Sequence, residues 1–114
     1  MELKAIKSES GYTHVALSGR LDVEGVKEIE AKFSAAVSAK GKSAIVDLTE
    51  CSFLASLGMR MLLGASKALR AKGAKLVLYN PQPLVLEALQ TAGFGLIMPI
   101  EQDFAKAIEL VKGA

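Results

Sequence analysis

Ser52-Phe53-Leu54-Ala55-Ser56-Leu57-Gly58-Met59-Arg60-Met61-Leu62-Leu63 is the stretch on which the reading of this chain turns. The apolar pair Phe53-Leu54 runs straight into Ala55-Ser56-Leu57-Gly58, and a helical pattern follows. A strand-to-helix junction is therefore predicted, with the hydroxyl of Ser56 at the N-terminus of a helix. A helix start has unpaired backbone N–H groups and the positive end of the macrodipole, so it accepts added negative charge. Two readings of Ser56 follow. It is an N-cap, as serines at helix starts often are, or it is a place where a phosphate is written and read.

The helix after Ser56 is informative in its own right. Leu62, Ser66 and Leu69 fall at core spacing, with Met59 and Leu63 beside them. Leu57, Met61 and Gly64 form a second stripe, so the first two turns are apolar almost all round apart from Arg60. Lys67, Arg70 and Lys72 then point outward, and Gly73 stops the helix near Ala71. A surface helix needs one apolar face. A second one either packs on a neighbouring element or meets a partner.

On the N-terminal side, Leu3–Ile6 and Thr13–Leu17 read as two short strands, with Ser8-Glu9-Ser10-Gly11 as the hairpin turn between them. Asp22 stands where a helix cap belongs, and Val26, Ile29, Phe33 and Val37 make one helical stripe that Gly41 ends. Ala44–Leu48 is a buried strand, predicted parallel to its neighbours. On the C-terminal side, Lys75–Tyr79 is another buried strand. Pro83 suits the first turn of a helix and Gly93 its end. Leu96–Ile100 reads as a last strand, held to an edge by Pro99. Asp103 caps a final helix with Phe104, Ala107, Ile108 and Val111 on one side. This order predicts an α/β fold, a mixed sheet with an N-terminal hairpin and about four helices packed on it.

With 114 residues the chain suits one domain, spanning 1–114, and not comfortably two. Apolar residues make up 51% and charged residues 23%, which excludes a disordered chain. Four Phe, two Tyr and no Trp leave the core aliphatic and leave few platforms on which bases could stack. The net charge of +2, from 14 basic and 12 acidic residues, is too balanced for a nucleic-acid footprint, so no direct nucleic-acid partner is expected. No segment approaches the roughly 20 apolar residues of a membrane span, and Met1–Ser10 has no run long enough for a signal peptide. A cytoplasmic protein without membrane insertion is expected.

The residue types that carry chemistry are thin. Cys51 is alone, so neither an internal disulfide nor a cysteine-based zinc site can form, and it reads as a small residue near a strand end. His14, the sole histidine, reads as an ordinary sheet-face residue. Gly41-Lys42-Ser43 matches only the tail of a phosphate loop, because Ala36 stands where the first glycine belongs. Glu28/Glu30 and Glu101/Asp103 read as solvated charges. No acid, base and nucleophile assemble, so no enzyme, metal or cofactor is expected.

Order and residues together resemble the STAS domain and, within it, the stand-alone anti-sigma factor antagonists of bacteria. The resemblance rests on Leu21-Asp22, Val46-Asp47-Leu48, Ser52–Gly58, Asn80-Pro81-Gln82-Pro83 and Ala92-Gly93-Phe94, in that order along nearly the whole chain. In that family the junction commonly reads Asp-Ser-Ser-Gly or Asp-Ser-Thr-Gly, and a partner kinase phosphorylates its first serine. Ser56 matches that serine and Gly58 the glycine. Ala55 replaces the acid and Leu57 the second hydroxyl. The resemblance implies that the chain binds an anti-sigma factor of the serine-kinase type, is released by phosphorylation of Ser56, and is reset by a phosphatase. Its partner face would comprise Asp22, an acidic position the family uses, with Ala55, Ser56, Leu57, Gly58, Arg60, Met61 and Gly64. A second implication is an accessory subunit docked on the ATPase of a lipid transporter. A third is a nucleotide- or lipid-binding domain.

Overall fold

The computed structural model describes residues 1–9 and 11–112, the side chains of 7–9 excepted. The hairpin turn expected at Ser8-Glu9-Ser10-Gly11 passes through Ser10, which lies outside the described residues. The elements are β1 (Glu2–Glu9), β2 (Tyr12–Leu21), α1 (Val23–Ala36), β3 (Ser43–Asp47), β4 (Cys51–Leu54), α2 (Ser56–Arg70), β5 (Leu76–Tyr79), α3 (Pro83–Thr91), β6 (Ile100–Glu101) and α4 (Phe104–Lys112). Short 3₁₀ turns follow α1 at Ser38–Lys40 and α3 at Phe94–Leu96. The six strands form a mixed sheet in the order β1-β2-β3-β5-β6, with β4 paired to β2 off this path. β1 is antiparallel to β2, and the other pairings are parallel.

Alternation along the strands sorts the side chains into two layers. Val15, Leu17, Ala44, Val46, Leu76 and Leu78 face the larger core, shared with Ile29 and Phe33 of α1, Leu62 and Leu69 of α2, and Val85 and Leu89 of α3. Tyr12, Ile45 and Val77 face the opposite way, onto Ala107 and Val111 of α4. Three helices thus cover one side of the sheet and one covers the other. The stripe expected on α1 is buried as its spacing requires, with Val26, Ile29, Phe33 and Val37 at most 2% exposed.

Three sequence expectations are corrected. The chain makes a strand at Cys51–Leu54 that the hydropathy pattern did not separate from the junction. β2 is long enough to pair first with β3, through Tyr12–Ala16, and then with β4, through Gly19–Leu21. Leu96–Ile100 is not a strand. Gly93, at φ 77°, turns the chain into the 3₁₀ segment, and the N–H groups of Ile97 and Met98 both donate to the Phe94 carbonyl. Leu96 is left 95% exposed, and pairing begins only at Pro99, whose carbonyl accepts from the Leu78 N–H at 3.0 Å, at the start of the edge strand. Finally, α1 stops at Ala36, so that Gly41, at φ 66°, ends the 3₁₀ turn rather than the helix.

Candidate functional site

The two parallel crossovers at the C-terminal end of β2 bring separate pieces of sequence together. β4 runs beside the last residues of β2, and the N–H of Ala55 donates to the Leu21 carbonyl at 3.0 Å. The start of α2 therefore lies against the start of α1. Gly58 makes this approach possible. A Cβ built there would sit 2.7 Å from Leu21 Cγ and 2.9 Å from the Leu21 carbonyl oxygen. Of the residues assigned to a partner face, Gly58 is thus buried and serves the packing beneath it.

Ser56 is the first helical residue of α2 and is exposed. The N-cap position belongs to Ala55, whose backbone is extended (φ −98°, ψ 172°) and whose side chain caps nothing. Ser56 is accordingly not the N-cap that one reading made it. The first turn of α2 has no acidic residue and no side-chain cap, so its leading N–H groups and dipole are uncompensated by carboxylate.

From Ser56 a row of solvent-facing positions runs along the helix through Arg60 and Gly64 to Lys67, all exposed. Leu57 and Met61 flank this row on one side, Met59 and Leu63 on the other. All four are half-buried and packed against the larger core. Leu62 beneath them is fully buried. Of the second apolar stripe, Leu57 and Met61 thus form one shoulder of an exposed ridge and Gly64 lies on the ridge itself, while Met59 and Leu63, from beside the core stripe, form the other shoulder.

Asp22 caps α1, its Oδ1 accepting from the Gly25 N–H at 2.8 Å. That hydrogen bond, helped by the Arg20 guanidinium, holds its carboxyl below the usual aspartate range. Arg20 reaches Asp22 Oδ2 at 3.4 Å and lies 4.3 Å over the ring of Phe53, itself 39% exposed. The Ser52 hydroxyl donates to the Gly19 carbonyl at 3.4 Å. Cys51 is buried, its Sγ donating to the Phe53 carbonyl at 3.4 Å, and burial pushes its thiol pKa up.

Beyond Ser56 an apolar groove of about 600 Å³ opens between α3 and the β4–α2 junction, lined by Phe53, Ser56, Met59, Leu84 and Ala88 among others. Leu84, 76% exposed, forms its outer wall. The sequence reading missed this wall. Its signal was available, because Leu84 and Ala88 are four apart and make a second apolar row on α3 beside Val85 and Leu89.

Two other sequence anchors meet behind the site. Asp47 Oδ1 accepts from the Thr49 N–H (2.9 Å) and hydroxyl (2.6 Å), while Asn80 Nδ2 donates to Thr49 Oγ1 (3.1 Å) and Gln82 Nε2 to the Thr49 carbonyl (2.8 Å). These bonds lock the β3–β4 turn to the β5–α3 loop, with Asn80 in the left-handed region at φ 51°. His14 packs its ring against Phe104 at 5.3 Å with Asp47 4.0 Å away, on the α4 side of the sheet. Among the described residues no three His, Cys, Asp or Glu side chains are placed to hold a metal ion, and no helix is long and apolar enough to cross a membrane.

Comparison with known proteins gives a consistent picture. A family profile described as STAS domain matches residues 4–107. The chain is 33% identical over 100 residues to an anti-sigma F factor antagonist of Lysinibacillus sphaericus, covering 87% of this chain and 85% of that one. It superposes on the unphosphorylated form of the anti-sigma factor antagonist SpoIIAA with a TM-score of 0.75, at 30% identity, over 99% of this chain and 96% of the other. The phosphorylated form of SpoIIAA, a Bacillus cell fate determinant, matches with a TM-score of 0.70 at 27% identity, over 95% and 97% of the two chains.

Proposed function

Because the chain belongs to the STAS domain family and its relatives are anti-sigma factor antagonists, we propose that it is a cytoplasmic partner-switching regulator. In its unmodified state it binds an anti-sigma factor that is also a serine kinase, and so releases the sigma factor. The observation that carries this reading is the exposed hydroxyl of Ser56 on an uncapped helix start, between two apolar shoulders. The face combines the Ser56–Arg60–Gly64 row, Leu57 and Met61 beside it, and Asp22 with Arg20 across the junction. Ala55 contributes its small side chain at the helix start, and Gly58 holds the two helix starts together from below.

The switch is a phosphoryl transfer. The Ser56 oxygen forms a bond to the γ-phosphorus of ATP as the bond from that phosphorus to the β–γ bridging oxygen breaks. ADP leaves and the hydroxyl proton passes to a base of the kinase. Within the free protein the product is well placed, since a dianion at a helix N-terminus is stabilised by the dipole. Within the complex it is not. A charge of about −2 set among Leu57, Met61 and their contacts loses water, and the single charge of Arg60 one turn along the helix offsets at most half of it, so the partner is expelled. Hydrolysis of the ester by a phosphatase restores the binding form.

Affinity capture with wild type and Ser56→Asp, identification of the bound protein by mass spectrometry, and incubation of that protein with Mg-ATP test the reading. An ATP-dependent kinase retained by wild type alone, and phosphate mapped to Ser56, are expected. Capture of a transporter ATPase instead, with no phosphate on Ser56, would favour the accessory-subunit reading and end this one.

A further inference from the structure

At the pole of the molecule opposite Ser56, the loops that precede β3 and β5 and the end of α4 enclose a cleft of about 410 Å³. Three lysines from three segments line it: Lys42 before β3, Lys72 after α2, and Lys112 in the last turn of α4. No aspartate or glutamate lines it among the described residues. Lys42 and Lys72 have no ion-pair partner among the described residues, and Lys112 lies 6.0 Å over the Tyr12 ring.

Cations near helix C-termini complement the macrodipole, which accounts for Lys72 and Lys112 one at a time. It does not account for Lys42, which belongs to no helix, nor for the presence of three lysines from separate segments on one cleft that no described carboxylate lines. The backbone makes room for Lys72 at the cleft. Gly41, at φ 66°, lies under the Lys72 stem, and a Cβ there would come within 2.8 Å of Lys72 Cδ. Ser43, 4% exposed, also lines the cleft, and its oxygen accepts from the Lys75 N–H at 3.0 Å, which leaves its own proton to donate. Gly41-Lys42-Ser43, which the sequence offered only as the tail of a phosphate loop, here leads into a strand instead of a helix.

We propose that this cleft binds a phosphate-bearing small molecule, with the phosphate between the ammonium groups of Lys42 and Lys72 and accepting from the Ser43 hydroxyl. Lysine ammonium groups are compact, strongly hydrated point charges suited to tetrahedral oxyanions, and the cleft has the volume of a small-ligand site. The site is independent of Ser56 and stands whatever that residue does.

The probe is inorganic pyrophosphate, titrated at constant ionic strength into the isotopically labelled full chain while backbone amide shifts are followed. Saturable shifts at Gly41–Ser43 and at Lys72–Gly73 are expected, with affinity reduced about tenfold or more in Lys42→Gln/Lys72→Gln. Ser43→Ala should give a smaller loss. These lysine side chains are solvent-facing, and matched melting temperatures would show that the variants fold. Shifts that grow linearly, spread equally to Lys27 and Lys67, or survive in the double variant would overturn the proposal. A second arm uses flotation with vesicles containing phosphatidic acid. Co-flotation lost in the double variant assigns the phosphate to a lipid headgroup, and no flotation alongside saturable pyrophosphate binding assigns it to a soluble ligand. Failure of both arms removes the site.

Discussion

Gly58 lies directly on Leu21, so closely that the nearest atoms of Leu21 would stand 2.7 Å and 2.9 Å from any β-carbon at position 58. This contact, together with the hydrogen bond from Ala55 to Leu21, fixes where Ser56 stands relative to Asp22. Replacing Gly58 by alanine must push α2 away from β2. A loss of about 1–3 kcal/mol is expected from overpacking, read as a lower midpoint in denaturant melts. Unchanged stability in Gly58→Ala would mean that the two helix starts are not held by this contact.

Ser56→Asp should keep the fold and lose the partner. A carboxylate at the first turn of an otherwise acid-free helix start is neutral or stabilising by roughly 0.3–1 kcal/mol. Loss of binding with a matched or raised melting temperature is the expected outcome. Equal affinity of wild type and variant would exclude release by charge.

Leu57, Met61 and Leu62 separate contact from core. Leu62 is fully buried, and Leu62→Ala should cost about 2–5 kcal/mol. Leu57 and Met61 are half-buried, so each truncation should cost distinctly less, of order 1 kcal/mol. The same truncations should weaken the complex by about 2 kcal/mol or more if the shoulders sit at an interface centre. Stability losses equal to that of Leu62→Ala would place both residues in the core and off the interface.

Asp22 makes stability depend on pH in a defined direction. Its folded pKa lies below the unfolded value of 3.8, first because of the Gly25 N–H and then because of Arg20. The unfolded chain therefore takes up the proton first as pH falls. The contribution of Asp22 is complete above its unfolded pKa and is lost as pH falls through the folded one. The stability gap between wild type and Asp22→Asn should thus be constant from neutral pH down to about pH 5 and close below it. A gap that stays constant to pH 2 would show that the carboxylate charge adds nothing to the cap.

Most of the fold was legible because its elements carry strong periodic signals. The α1 stripe, the buried runs at Ala44–Leu48 and Lys75–Tyr79, and the capping aspartates Asp22 and Asp103 each state their structure locally. Asp103, for example, accepts from the Ala105 N–H at 2.9 Å. What failed depended on distant partners. The four residues of β4 have only their ends buried and become a strand because the second half of β2 is free to pair with them. Leu96-Ile97-Met98 looks like a strand by composition, yet only Met98 is buried, and the left-handed turn at Gly93 has already committed the backbone to a 3₁₀ path. Ser56 was located from its junction, whereas the groove beside it needed α3, whose Leu84 lies 31 residues of chain beyond Phe53.

The sheet closes its open sides in two different ways. β6 is two residues long and follows a proline, and β1 slips register between Ala5 and Lys7. Neither border offers a long, flat row of unpaired amides and carbonyls on which another chain could add a strand. Association is thereby steered to side chains displayed on helices, whose pattern is specific to one partner, and away from backbone pairing, which any extended segment could satisfy. For the release by phosphate on Ser56 proposed above, this arrangement is an advantage. Contacts made by side chains around one helix end are within reach of that charge, and a continuous intermolecular sheet would not be.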